Sequence, residues 1–187
     1  MTNDRLGIAR RFVVLVLGAG LVSGCASSVI ELTSYKDPYF PEHYQARLDE
    51  CAYYLDPDGD IHAVGRSQHN DEHGTLTQLV HVHIFWKPWP GKTPADQTAT
   101  DAVIRYILAR PSGRAVYEGT GFAFPRKQRG GELQIAIESA ALRPLSQSGE
   151  LPDVLGTARL VGLLRAVDRP GTAAHLIREM DRLSGQP

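Results

Sequence analysis

Apolar and polar positions alternate with period two through most of this chain, and that alternation predicts strands. Ala52–Leu55 and Ile61–Gly65 are short runs parted by Asp56-Pro57-Asp58-Gly59-Asp60, a turn signal in which Gly59 supplies positive φ. Leu76–Trp86 is the longest run. Leu76, Gln78, Val80, Val82, Ile84 and Trp86 fall on one parity, and Thr77, Leu79, His81, His83 and Phe85 on the other. Val103–Ala109 and Ala115–Phe124 flank Arg110-Pro111-Ser112-Gly113-Arg114, a hairpin signal. Glu132–Ser139 turns Leu133, Ile135 and Ile137 to one side and Glu132, Gln134 and Glu138 to the other. Ala158–Val167 predicts the last strand.

The period changes once. Asp168-Arg169-Pro170-Gly171-Thr172 breaks the strand, and Thr172 is a capping residue type. Ala173, Leu176, Ile177, Met180 and Leu183 then share one helical face, with Gly185 as a stop. Seven strands and a C-terminal helix joined by mostly short turns predict a mainly β fold, an antiparallel β-sandwich or half-barrel. The alternative is an α+β layer with the helix packed on one sheet face.

The chain start follows another pattern. Arg5, Arg10 and Arg11 precede an apolar run from Phe12 to Val22, too short for the roughly 20 residues of a membrane span but matching the apolar region of an export signal. The adjacent Arg10 and Arg11 leave a twin-arginine route open beside the general one. Val22-Ser23-Gly24-Cys25 then resembles the lipobox of bacterial lipoproteins. The resemblance covers this segment alone. It implies cleavage before Cys25, a diacylglycerol on its sulfur and an acyl chain such as palmitate on its amino group, a stable anchor because more than one chain is attached. Ala26 resembles the outer-membrane sorting default.

Residues 1–24 are therefore read as a signal peptide, 25–44 as a lipidated N-terminus and tether, and 45–187 as one mostly β domain. The stretch to about His43 is mixed in character and carries Pro38 and Pro41, the latter suited to open a short helix toward Leu48. Extended at about 3.5 Å per residue, such a tether holds a domain several tens of ångströms from a membrane.

Processing removes three arginines and one aspartate, moving the formal charge from −1 to −3. That balance argues against a nucleic-acid surface, which needs a basic excess. Cys51 remains without an intrachain partner and, beside Ala52-Tyr53-Tyr54-Leu55, reads as a small buried hydrophobe. Gly91-Lys92-Thr93 fails as a P-loop because Trp86 stands where the earlier glycine belongs. Asp56–Asp60 fails as a calcium loop because Ile61 replaces the turn glycine and Ser67 the bidentate glutamate.

Five of the seven histidines lie between His62 and His83. On a strand His81 and His83 share a face and can chelate zinc or copper, with His62 as a third ligand or a residue of the loop His69-Asn70-Asp71-Glu72-His73. Register decides: pairing residue 67 with 76 sets His62 opposite His81, and pairing 67 with 75 turns it to the other face. The competing reading has solvent-facing imidazoles and no metal. Trp86 and Trp89, set among prolines and lysines, are a candidate contact surface for an envelope protein or cell-wall component, against a plain role closing and rimming the core.

The sequence thus predicts a periplasm-facing outer-membrane lipoprotein, a non-catalytic binding or assembly module, with a metal-binding lipoprotein built on His81, His83 and His62 as the alternative. The cofactor expected is the lipid on Cys25, with zinc or copper only under that alternative.

Overall fold

The computed structural model describes residues 27–85, 101–151 and 153–185. The signal segment, Cys25, Trp86 and Trp89 lie outside the described residues. The strands are β1 (Ser28–Ser34), β2 (Glu42–Leu48), β3 (Glu50–Leu55), β4 (Ile61–Asp71), β5 (Gly74–Ile84), β6 (Ala102–Arg110), β7 (Gly113–Lys127), β8 (Leu133–Gly149) and β9 (Ala158–Asp168), followed by α1 (Pro170–Ser184). The fold is mainly β with one C-terminal helix.

Strands β3 through β9 pair antiparallel in chain order, and β9 returns to β3 in parallel at Ala52↔Val167 and Tyr53↔Asp168. Seven strands therefore close into a barrel, where the alternation alone suggested a sandwich or half-barrel. Closure needs bending, and β7 and β8 supply it with register shifts at Val116/Tyr117 and Phe122/Ala123. Gly119 lets them touch at the bend: a Cβ there would lie 1.7 Å from the Ala141 carbonyl oxygen.

The expected tether is corrected. Residues 28–34 form β1, paired from Val29↔Leu163 to Ser34↔Ala158 on β9 and along its other edge with β2. Ile30 and Leu32 point into the core while Glu31 faces out, a short alternation that the flanking serines hide. Pro41 precedes a strand, not a helix: Ala46 and Leu48 are buried and Gln45 and Arg47 exposed, again period two.

The barrel interior is packed with side chains including Ile30, Val80, Val82, Ile104, Tyr106, Tyr117, Ile135, Leu160 and Leu164. A second cluster lies outside, where Ala173, Leu176 and Met180 of α1 cover Ala52, Val64, Leu79, Ile107 and Val116. The helix thus packs on one sheet face. It begins at Pro170 with no side-chain cap, so Thr172 lies within its first turn, and it ends at Gly185 with φ 71°. Arg66–Glu179 (3.7 Å) and Arg105–Asp181 (3.3 Å) flank the seam. Among the described residues no helix is long and apolar enough to cross a membrane.

Candidate metal centre

Because Val80, Val82 and Ile84 face the interior, His81 and His83 face out. The β4–β5 hairpin turns tightly, pairing Asp71 with Gly74, whose φ of 95° suits glycine. That sets residue 67 opposite 78 and His62 opposite His83. Neither anticipated register is the observed one, but the parity is that of the 67–76 pairing, so all three imidazoles share the outer face. His62 and His83 stack at 4.2 Å between ring centroids, and Tyr54, opposite His62 on β3, stacks on it at 4.8 Å. The loop expected at 69–73 is largely strand, since β4 runs to Asp71, and it lies at the far end of the hairpin from His62 and His83.

The β3–β4 turn brings carboxylates to these rings. Asp56 Oδ1 accepts the Asp60 amide at 2.8 Å, and the Gly59 amide donates to the Asp56 carbonyl at 2.9 Å with Gly59 at φ 81°. This closed turn holds Asp56 Oδ2 3.4 Å from His62 Nε2, and Asp60 Oδ2 lies 3.2 Å from His83 Nε2. On its other side His62 Nδ1 meets His81 Nε2 at 3.2 Å. Asp56, His62 and His83, each half-buried, offer ligand atoms that all lie within 4.8 Å of one another. Two ligands on a tetrahedral zinc at its usual bond lengths stand about 3.3 Å apart, so the Asp56–His62 spacing already matches.

The electrostatics keep donors open. Burial lowers the His62 pKa, and His83 lowers it further against the opposing pull of Asp56 and Asp60, so the ring is neutral at pH 7. Burial, with His62, His83 and Arg105 nearby, pushes His81 down to about 3. Burial works to raise the Asp56 pKa, but hydrogen bonds from the Asp60 amide and His62 outweigh it and keep the carboxyl ionised. Neutral imidazole and ionised carboxylate are the forms that bind a divalent transition metal.

The structure therefore brings His62, His81 and His83 together on one face, while the compact donor group holds Asp56 in place of His81. Sequence reasoning weighed Asp56 and Asp60 only as parts of a calcium loop. The available signal was parity: Asp60 and His62 are two apart on an extended segment and share a face. Cys51 packs against the core, and burial raises its thiol to about 11, so it offers no thiolate at neutral pH. His175 is exposed on α1 and is not part of the donor group. Comparison with known proteins finds no matching family model, no matching curated protein and no matching solved structure.

Proposed function

We propose that this chain is a lipid-anchored protein of the bacterial envelope, non-catalytic, whose barrel binds one zinc or copper ion through Asp56, His62 and His83. The observation that carries the metal reading is the convergence of those three ligand atoms within 4.8 Å on one hairpin and its preceding turn. The lipobox-like Val22-Ser23-Gly24-Cys25 supports the anchor. With β1 starting at Ser28, only Ala26 and Ser27 separate Cys25 from it, about 10 Å from Cys25 to Ser28 when extended, so the barrel sits against the bilayer and not at the end of a long tether.

Thermal denaturation tests the metal reading. Binding to the folded state alone contributes about 2.7 kcal/mol when free metal is a hundred times its Kd. The Tm of the full chain should rise with added zinc or copper and fall back on chelation. His62→Ala, His83→Ala and Asp56→Asn should each abolish the rise, and His175→Ala should leave it intact. A Tm unchanged by metal, or a rise that survives all three substitutions, would refute the reading.

One observation favours a second reading, an assembly module without metal. At the β1–β2 turn Tyr39 is 88% and Phe40 76% exposed, a pair of large apolar side chains offered to an envelope protein or cell-wall component. Tyr39→Ser with Phe40→Ser should leave the Tm unchanged and remove a specific crosslink to that partner in the intact envelope; retention of the crosslink would count against it.

A further inference from the structure

At the barrel end away from His62 and His83 lies a cavity of about 400 Å³, within the size range of small-molecule sites. Leu76 and Gln78 of β5 line it, and Leu76 stands seven residues from His83, about 23 Å along an extended strand. Leu108 at the end of β6 and Leu155 before β9 supply further apolar wall. Tyr106, 1% exposed, forms the floor.

The polar groups decide what fits. The Tyr106 hydroxyl donates to Gln78 Oε1 at 2.5 Å, which occupies the amide oxygen and leaves the amide nitrogen with no hydrogen-bond partner among the described residues. The only cation on the lining among the described residues, Arg110, is already spent: its two terminal nitrogens grip both oxygens of Asp71 at 2.7 and 2.6 Å. At the exposed rim the Tyr44 hydroxyl donates to Glu42 and the Gln45 amide nitrogen to Glu31. Deeper in, apolar walls, the unpaired Gln78 amide donor and a neutralised guanidinium suit a neutral acceptor and disfavour an anion, whose charge would be desolvated without a counterion. We propose that this barrel mouth binds a small, mainly apolar molecule carrying one uncharged carbonyl group, such as a ketone, ester or amide, which accepts from Gln78 Nε2. The site is separate from the metal centre and independent of it.

The test uses the full chain in detergent with a fluorescent naphthyl ketone, 6-propionyl-2-dimethylaminonaphthalene, whose emission reports both polarity and hydrogen bonding at its carbonyl. The expected result is saturable one-to-one binding with blue-shifted emission above the detergent background. Added 2-decanone should displace the probe, and decanoate at pH 8 should not. Gln78→Leu should weaken binding about fivefold, the loss of one hydrogen bond. Leu76→Trp, at a half-buried wall position, should block it while the Tm stays near that of the unsubstituted chain. Absence of saturable binding, displacement by decanoate as effective as by 2-decanone, or undiminished binding in a folded Leu76→Trp chain would overturn the proposal. The competition needs no variant, so it decides even where a substitution fails to fold.

Discussion

A hydrogen bond between two imidazoles fixes which nitrogen of each carries the proton. For His62 Nε2 to ligate a metal beside Asp56, it must give up the hydrogen it otherwise donates to Asp56, and Nδ1 must carry the hydrogen instead and donate to His81 Nε2 at 3.2 Å. In the proposed centre His81 is thereby a positioning residue and not a ligand. Its environment has a second consequence. Folded His81 titrates near 3, while an unfolded imidazole titrates at about 6.5. Between those values the unfolded chain holds a proton that the folded chain lacks, so stability falls as pH falls through this window, by up to about 1.4 kcal/mol per pH unit. Urea unfolding with chelator present, from pH 6.5 down to 5, should show that slope in the unsubstituted chain and a flatter one in His81→Phe. Equal slopes would mean that another group carries the proton.

The elements follow their alternation, and closure depends on where they bend. At Gly119 an added methyl meets a backbone oxygen, which cannot move aside as a flexible side chain can. Gly119→Ala should therefore destabilise by about 1–3 kcal/mol or more, the usual cost of overpacking. Gly171, with nothing within 4 Å of a built Cβ, is the matched control: Gly171→Ala should change the urea midpoint little. Similar midpoints for the two variants would contradict the bend. Much of the element order was legible in advance, because Leu133, Ile135 and Ile137 on β8 or Ala173, Leu176 and Met180 on α1 carry their period in plain view. β1 was not, because only Ile30 and Leu32 mark its inner face and two prolines follow. The register of β4 on β5 was not either: it depends on a two-residue turn at Glu72-His73, within a polar stretch that offers several turn positions.

At the scale of the whole molecule, the barrel has one continuous interior and the helix covers a separate outer cluster. Ile135 is fully buried in that interior while Glu138 on the same strand is exposed. Ile135→Asp places an unpaired carboxylate in the core and should unfold the chain, whereas Glu138→Gln should leave the Tm within a degree or two. Matching circular-dichroism melts would place β8 wrongly. The proposed envelope address rests on Cys25: Cys25→Ser should leave an unlipidated precursor, and mass spectrometry of the native N-terminus should find an acylated cysteine. A mature chain starting elsewhere without lipid would remove the anchor. Barrel closure itself was hidden from the sequence, since a β9 that pairs with β8, β1 and β3 at once is a tertiary fact with no local signature. The proposed metal centre was half visible: the three histidines announce themselves by spacing, but the turn that folds Asp56 back beside His62 is seen only in three dimensions.

The centre is tested most directly by X-ray absorption at the zinc edge, on the full chain loaded with one equivalent of zinc and dialysed. The prediction is a first shell of nitrogen and oxygen at about 2.0–2.1 Å with outer-shell scattering from two imidazole rings, and no zinc retained by His83→Ala after the same dialysis. Zinc lost on dialysis, a sulfur shell at about 2.3 Å, or a first shell without imidazole would contradict a centre built from Asp56, His62 and His83.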